Sequence, residues 1–147
     1  MNIFAVDDDP VIAARCLFNT HVIKMTLETA QILSTIKGGP YKPTHASHPC
    51  VLWAMESTEN YDWLVSHGLA LAKEYTYRYG KRHKSEDIIW RLRAPPGFVE
   101  EAPMTPFALA MPKEFIVDNP VESYRNYYRH KAETLFGYKK REPPSWL

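Results

Sequence analysis

The sequence has no long apolar run, few cysteines and almost no net charge. None of its apolar runs approaches the roughly 20 residues that a membrane span needs, so we expect no membrane contact. The two cysteines, Cys16 and Cys50, come without a secretory signal, which indicates free thiols and a cytoplasmic location. The net charge of +1 lacks the basic excess of proteins that grip a DNA duplex.

Several catalytic and metal-binding patterns are also missing. There is no glycine-rich phosphate loop, no CxxC, no HExxH and no GxSxG. His45 and His48 have the spacing of half a zinc site, but structural zinc needs four ligands and catalytic zinc usually three. His21, Glu28 or His83 would complete such a site only if folding brought them near. We therefore expect no metal and no cofactor.

Aromatic side chains are abundant. They make up 13% of the 147 residues, with nine Tyr and four Trp. The apolar and charged fractions, 45% and 24%, are ordinary for a globular protein. The length predicts one domain covering residues 1–147.

The spacing of apolar residues predicts an all-α fold: a compact domain of about five helices, with a short extended N-terminus and a long proline-rich loop. Asp9 before Pro10 is a helix start, and Gly80 suits a helix end. Pro49, with Ser47 or His48 as cap, begins a third helical region. Ser57 carries a second start signal, which leaves open one long helix or two.

A polar stripe accompanies the predicted second helix, which runs to about Ile36. His21, Lys24 and Glu28 lie at i, i+3 and i+7 and therefore line up along one face. Lys24 and Glu28 are also spaced to form an ion pair. A solvated polar face explains this stripe, and so does a site that combines an acid, a cation and an imidazole.

Two motifs bracket the third helical region. The first contains His45, His48 and Pro49, and the second is the cationic and aromatic run 74–83. Rings can stack on bases while cations hold phosphates, which is worth roughly 1–3 kcal/mol per stacked base. Packing of the tyrosines in the core is the competing interpretation for each ring taken singly. A continuous helix would hold the two motifs tens of ångströms apart, so a shared pocket requires a break near Ser57 or two subunits.

The chain is similar to two families. The segments 1–4, 21–25, 44–50, 60–61, 74–83, 105–107 and 124–128 resemble a family of small uncharacterised proteins from tailed phages. Glu28 and the pattern formed by Tyr41, His48 and Pro49 resemble the phage-type pyrimidine-dimer DNA glycosylases. Those are compact helical proteins with a catalytic glutamate on an early helix. Their nucleophile is the α-amine that is exposed when Met1 is removed. Met1 is removed most readily when the second residue is small. The second residue here is Asn2, so we expect Met1 to be retained.

Our main functional prediction is a phage protein of the infected host cell's cytoplasm that binds a small nucleotide without catalysis. It would sequester a cyclic-nucleotide-type immune signal, as an anti-defence sponge, and form a homo-oligomer to enclose it. The predicted ligand-binding residues are His21, Lys24, His45, His48, Trp53, Tyr61, Arg78, Tyr79, Lys81 and His83.

The alternative prediction follows from the second resemblance. It is a DNA glycosylase or AP-lyase-like enzyme acting on damaged or modified pyrimidines, with DNA as partner. Glu28 would be the acid/base, and the amine of Met1 would be the nucleophile that forms a Schiff base. His21 and Lys24 would assist.

Overall fold

A computed structural model describes all residues, 1–147, and contains helices but no strands. The helices are α1 (Pro10–Arg15), α2 (Asn19–Lys37), α3 (Pro49–Glu56), α4 (Thr58–Tyr79), α5 (Glu86–Arg91) and α6 (Pro120–Leu135), with a single 3₁₀ turn at Lys113–Phe115. The predicted all-α fold is confirmed. There are six α-helices where about five were expected, because the third helical region, for which one helix or two had been left open, breaks at Ser57.

The helix boundaries follow from local capping chemistry. The Asp9 carboxylate accepts hydrogen bonds from the N–H groups of Val11 and Ile12, and Pro10 occupies the first turn. The Ser57 side chain accepts from the N–H of Asn60 and begins α4. These bonds satisfy N–H groups that lack partners within the helix. At the other end of α4, Gly80 takes the left-handed conformation that often ends a helix and that glycine adopts without steric strain.

Helix α4 is the centre of the molecule. It packs on α1, α2, α3 and α5, and its buried face includes Leu64, Leu71 and Ala72. One hydrophobic cluster runs from Ile3 to Tyr128 and so joins the N-terminal segment to α6. Burial of this cluster supplies the main driving force for folding.

The extended N-terminal segment is part of the core. Residues 3–6 are almost completely buried. The ring of Phe4 stacks on His21 of α2 at 4.5 Å and contacts Tyr124, Tyr127 and Tyr128 of α6. The predicted extended N-terminus is therefore clamped between α2 and α6. Residues 94–118, apart from the 3₁₀ turn, form the expected irregular, proline-rich connection.

No helix is both long and apolar enough to cross a bilayer.

Gly68 permits the close approach of α4 to α2. A methyl group added there would collide with Cγ2 of Thr29 and lie 3.1 Å from its Cβ and 3.2 Å from Ile89 Cδ1. Thr29 cannot simply rotate away, because its hydroxyl donates to the Met25 carbonyl at 2.9 Å. The missing side chain at this position is thus a packing requirement.

We predict that Gly68→Ala lowers the free energy of unfolding by about 1–2 kcal/mol. Overpacking costs about 1–3 kcal/mol, and the better helix propensity of Ala returns up to about 1 kcal/mol. Thermal denaturation should show Tm lower by about 3–6 °C. Gly97→Ala is the control, because nothing lies within 4 Å of its added methyl group. An unchanged Tm for Gly68→Ala would show that this contact relaxes freely.

Candidate functional site

The first amine of the chain forms an ion pair with a buried carboxylate. The amine nitrogen of Met1 lies 3.5 Å from Oε1 of Glu28, whose side chain is 8% exposed. The same oxygen accepts the backbone N–H of Asn2 at 3.1 Å. Lys24 Nζ lies 3.8 Å from Oε2. A buried carboxylate is stable only when such partners compensate its charge, and here two of the three belong to the first two residues.

Met1 is oriented with its side chain inward. That side chain is 3% exposed and packs against the hydrophobic core, whereas the residue as a whole is half-buried. The exposed part of Met1 is therefore main chain. The Met1 amine is thus held at the surface, next to the buried carboxylate of Glu28. An amine nucleophile with an adjacent acid/base group needs this arrangement.

The charge of the same amine acts on His48 and Cys50, at the start of α3. Burial, followed by the positive charge of the Met1 amine, lowers the pKa of His48. Its Nδ1 accepts the N–H of Cys50 at 3.0 Å, so His48 caps α3. Burial raises the pKa of the Cys50 thiol to about 12. A thiol that is fully buried and neutral is a poor nucleophile.

Two depressions adjoin the site on the exposed face of α2, and together they are called the basic cleft here. One has a volume of about 500 Å³ and is lined by Lys24, Lys81, Arg82, His83 and Lys84, among others. The other, of about 600 Å³, includes Lys42. Both share Leu27 and Tyr41, and no carboxylate lines either one. Lys24 joins the basic cleft to Glu28.

The stripe on α2 is not a solvated polar face. Lys24 is exposed, but Glu28 and His21 are buried. The Nδ1 atom of His21 is 2.9 Å from the hydroxyl of Tyr128. Burial, together with the charges of Lys131 and Lys24, lowers the pKa of His21 to about 4. His21 is thus a neutral core residue beneath Phe4 rather than a ligand group.

Three predicted ligand contacts must be corrected, because their side chains lie in the core. Trp53 is fully buried and donates to the Thr105 carbonyl. Tyr61 is fully buried and donates to the Leu92 carbonyl at 2.6 Å. Arg78 is buried with Glu74 at 2.8 Å. None of these side chains presents a free face or charge to a nucleotide.

The remaining predicted ligand residues lie at or near the surface. His45 is exposed, with its Nδ1 2.7 Å from the Thr44 hydroxyl. Tyr79 packs between Tyr75 and the ammonium of Lys139. Lys81 and His83 line the basic cleft, and Nε2 of His83 lies 2.9 Å from the Ile23 carbonyl on α2. A contact of these residues with a ligand stays a prediction.

The break at Ser57 brings both histidine motifs to α2. His83 contacts Ile23 of α2, and α3, which His48 caps, packs on α2. A second subunit is therefore not needed to bring them near one helix, and the homo-oligomer stays a prediction. No three His, Cys, Asp or Glu side chains converge in a way that could hold a metal ion.

Asn2 and Tyr124 are site residues that the sequence analysis missed. Asn2 donates from Nδ2 to the Ala110 carbonyl at 2.7 Å and accepts the N–H of Phe4 at 2.9 Å. Tyr124 donates to the Ala108 carbonyl and accepts the N–H of Ala110. The only sequence signal was a single amide side chain at the head of an otherwise apolar segment.

Comparison with known proteins identifies a family for this chain. The family model described as pyrimidine dimer DNA glycosylase matches residues 1–87, which is more than half of the chain. No curated protein and no solved structure is significantly similar to this chain. The matched range contains Met1, Glu28, His48 and all residues that line the basic cleft.

We predict that stability falls as the pH drops from 6.5 to about 4. In the unfolded chain His21 binds a proton near pH 6.5, whereas burial lowers the pKa in the folded state to about 4. The unfolded state therefore binds more protons in this interval, and stability rises with pH. His67, lowered to about 4 by burial, acts in the same direction.

Each histidine should contribute up to about 3 kcal/mol. Urea denaturation of the parent and of His21→Gln between pH 7 and pH 4 measures this effect. The variant should lose less stability across the interval, because glutamine does not titrate. Equal pH dependence in the two proteins would contradict the assignment to His21.

Proposed function

Because the chain belongs to the pyrimidine dimer DNA glycosylase family, we propose that it is a DNA glycosylase with AP-lyase activity on damaged or modified pyrimidines. The observation that carries this proposal is the pairing of the first amine with the buried carboxylate of Glu28. An amine nucleophile and a carboxylate acid/base are the two groups that Schiff-base chemistry at a sugar requires.

The proposed reaction starts with attack of the neutral Met1 amine on C1′ of the damaged nucleotide. The C–N glycosidic bond breaks and the base leaves with its electron pair. Opening of the sugar ring then gives a Schiff base between the amine and C1′. Glu28 accepts one proton from the Met1 ammonium before the attack and passes it to the departing base, and it carries a second proton from the bound nitrogen to the ring oxygen as the ring opens.

The lyase step uses the same two groups. The Schiff base makes the C2′ protons acidic, and removal of one by Glu28 or a water it orients leads to β-elimination. The C3′–O3′ bond breaks and the 3′ strand leaves with its phosphate. Hydrolysis of the Schiff base then releases the amine, so the proton and electron count closes over one cycle.

The basic cleft supports DNA as the partner despite the net charge of +1. Arg82 is neutralised by Glu86 and Asp87, but Lys81, Lys84 and Lys42 form no salt bridge and are exposed. Cations without carboxylate partners are the groups that phosphates can neutralise. The cleft that Lys24 joins to Glu28 therefore offers cations that no carboxylate neutralises.

No observation favours a nucleotide sponge. Two of its stacking rings, Trp53 and Tyr61, lie in the core. The family match concerns DNA glycosylases, in agreement with the alternative that the sequence had left open.

We predict that borohydride traps the protein covalently on DNA containing an abasic site. Glu28→Gln should reduce the single-turnover trapping rate by about 10²–10⁴-fold, the typical contribution of a general acid/base. Its affinity for the DNA should change little, because glutamine preserves the shape of the side chain. Denaturing gels and mass spectrometry of the adduct provide the measurement.

Glu133→Gln is the matched control, since Glu133 is exposed on α6 and its carboxylate has one ionic partner, His130, at 4.0 Å. It should react like the parent. Absence of any adduct with the parent protein on abasic DNA would sink the proposal. An unchanged rate for Glu28→Gln would remove Glu28 from the chemistry.

We predict that the double variant Lys81→Ala, Lys84→Ala binds DNA more weakly and with a smaller dependence on salt. Each lost phosphate contact should lower the slope of log K against log salt by about 1. Fluorescence anisotropy at several salt concentrations measures this slope. Lys113→Ala, an exposed lysine in the 3₁₀ turn, is the control and should keep the parent slope. Identical slopes in all three proteins would exclude the basic cleft as the DNA path.

A further inference from the structure

Asn2 forms hydrogen bonds through its backbone N–H and through both polar atoms of its side chain. Its backbone N–H donates to Glu28 Oε1 at 3.1 Å. Its side-chain Nδ2 donates to the carbonyl of Ala110 at 2.7 Å. Its Oδ1 accepts the N–H of Phe4 at 2.9 Å. The residue is thereby tied to α2, to the connection before α6 and to its own segment.

These bonds fix the peptide plane between Met1 and Asn2. A trans peptide is planar and includes Cα of the preceding residue, so only one rotation remains between this plane and the Met1 amine. The buried Met1 side chain, packed on the core, limits that rotation. Together the two residues hold the amine nitrogen at its observed position, 3.5 Å from Glu28 Oε1.

The conformation of Phe4 shows that the segment needs such a restraint. Phe4 has φ of 39°, a left-handed value that is unfavourable for a bulky residue. Strained backbone persists only where surrounding contacts over-determine it. The bond from the Phe4 N–H to Asn2 Oδ1 is one of these contacts, and the stacking of Phe4 on His21 is another.

The anchor of Asn2 is itself held from α6. The Tyr124 hydroxyl donates to the Ala108 carbonyl and accepts the N–H of Ala110. This pair of bonds fixes the short stretch whose Ala110 carbonyl receives Asn2 Nδ2. A chain of direct contacts therefore runs from Tyr124 through Ala110 and Asn2 to the amine.

We propose that Asn2 is a positioning residue that holds the amine of a retained Met1 against Glu28, and that this amine is the one that reacts with DNA. The catalytic half of the proposal rests on the proposed function, whereas the positional half does not. Removal of Met1 would destroy the arrangement, since Asn2 N would become a free amine and the packed Met1 side chain would be lost.

The test uses two variants whose second residue is large, so that Met1 stays; intact mass verifies this. Asn2→Leu has nearly the same shape and lacks both side-chain bonds. Asn2→Asp keeps the acceptor for the Phe4 N–H but loses the donor to Ala110, and so retains the local turn if Asn2→Leu does not fold. Asn126→Leu is the matched control, because the Asn126 side chain donates to the Phe115 carbonyl and accepts from Arg129, and has no hydrogen bond with Met1, Asn2 or Glu28.

The first measurement needs no DNA. Formaldehyde and cyanoborohydride methylate accessible amines, and mass spectrometry of the N-terminal peptide gives the rate at Met1 relative to the lysines. Loss of a held ion pair worth about 1 kcal/mol should accelerate labelling roughly fivefold in both Asn2 variants. Asn126→Leu should match the parent. Parent-like labelling in both Asn2 variants would overturn the positional assignment.

The second measurement is the single-turnover trapping rate on abasic DNA, with the dissociation constant measured in parallel. A misplacement of about 1 Å can cost on the order of 10²-fold in rate, so Asn2→Leu should react 10–100-fold more slowly with its dissociation constant nearly unchanged. The adduct should lie on the peptide that begins with Met1. Faster labelling with undiminished trapping would overturn the catalytic half. Faster labelling with a parent that never traps would contradict the proposed function and leave the positioning role standing.

Discussion

The buried carboxylate of Glu28 is the constraint on which the N-terminal half of the structure depends. A charge that is almost withdrawn from water is tolerated only with close partners. Two of its partners come from Met1 and Asn2, and Lys24 supplies the third from solvent. Met1 and Asn2 must therefore lie against α2, and residues 3–6 must run through the core to place them there.

A second buried carboxylate holds the other end of the chain. Burial alone would raise the pKa of Glu74, but hydrogen bonds from Arg141 and Arg78 lower it. Arg78 also donates to the carbonyls of Leu17 and Arg15, after α1 and within it. Arg141 thus ties the C-terminal segment to α4. Arg78, predicted as a phosphate contact, is consumed by this structural role.

Local signals predicted most of the fold. Asp9, Pro10, Ser57 and Gly80 mark helix ends through capping chemistry, which depends only on neighbouring residues. The end of α6 has no such local signal: the helix ends at Leu135, and Gly137, two residues later, has no positive φ. Boundaries of this kind depend on tertiary contacts; here the Gly137 carbonyl accepts the N–H of Asn19.

The candidate site was less accessible to sequence reasoning. The spacing of Lys24 and Glu28 on α2 was enough to predict their pairing. Trp53 and Tyr61 were misassigned because an aromatic ring in a polar motif packs equally well in a core. Asn2 could not be identified, because its partner Ala110 lies 108 residues away and offers only a backbone carbonyl, which has no sequence signature.

The extent of the family match and the extent of the physical site differ. The matched residues, 1–87, include the amine, Glu28 and the basic cleft, but the groups that hold the N-terminal segment lie beyond them. Ala110 accepts Asn2, Arg125 donates to the Val6 carbonyl at 2.8 Å, and Tyr128 packs on Phe4. Residues 1–6 have no regular secondary structure of their own, so these contacts replace the hydrogen bonds of a helix or sheet. The geometry at Glu28 is consequently a property of the whole chain, and the C-terminal part contributes to it by restraining the N-terminus rather than by adding groups to the site.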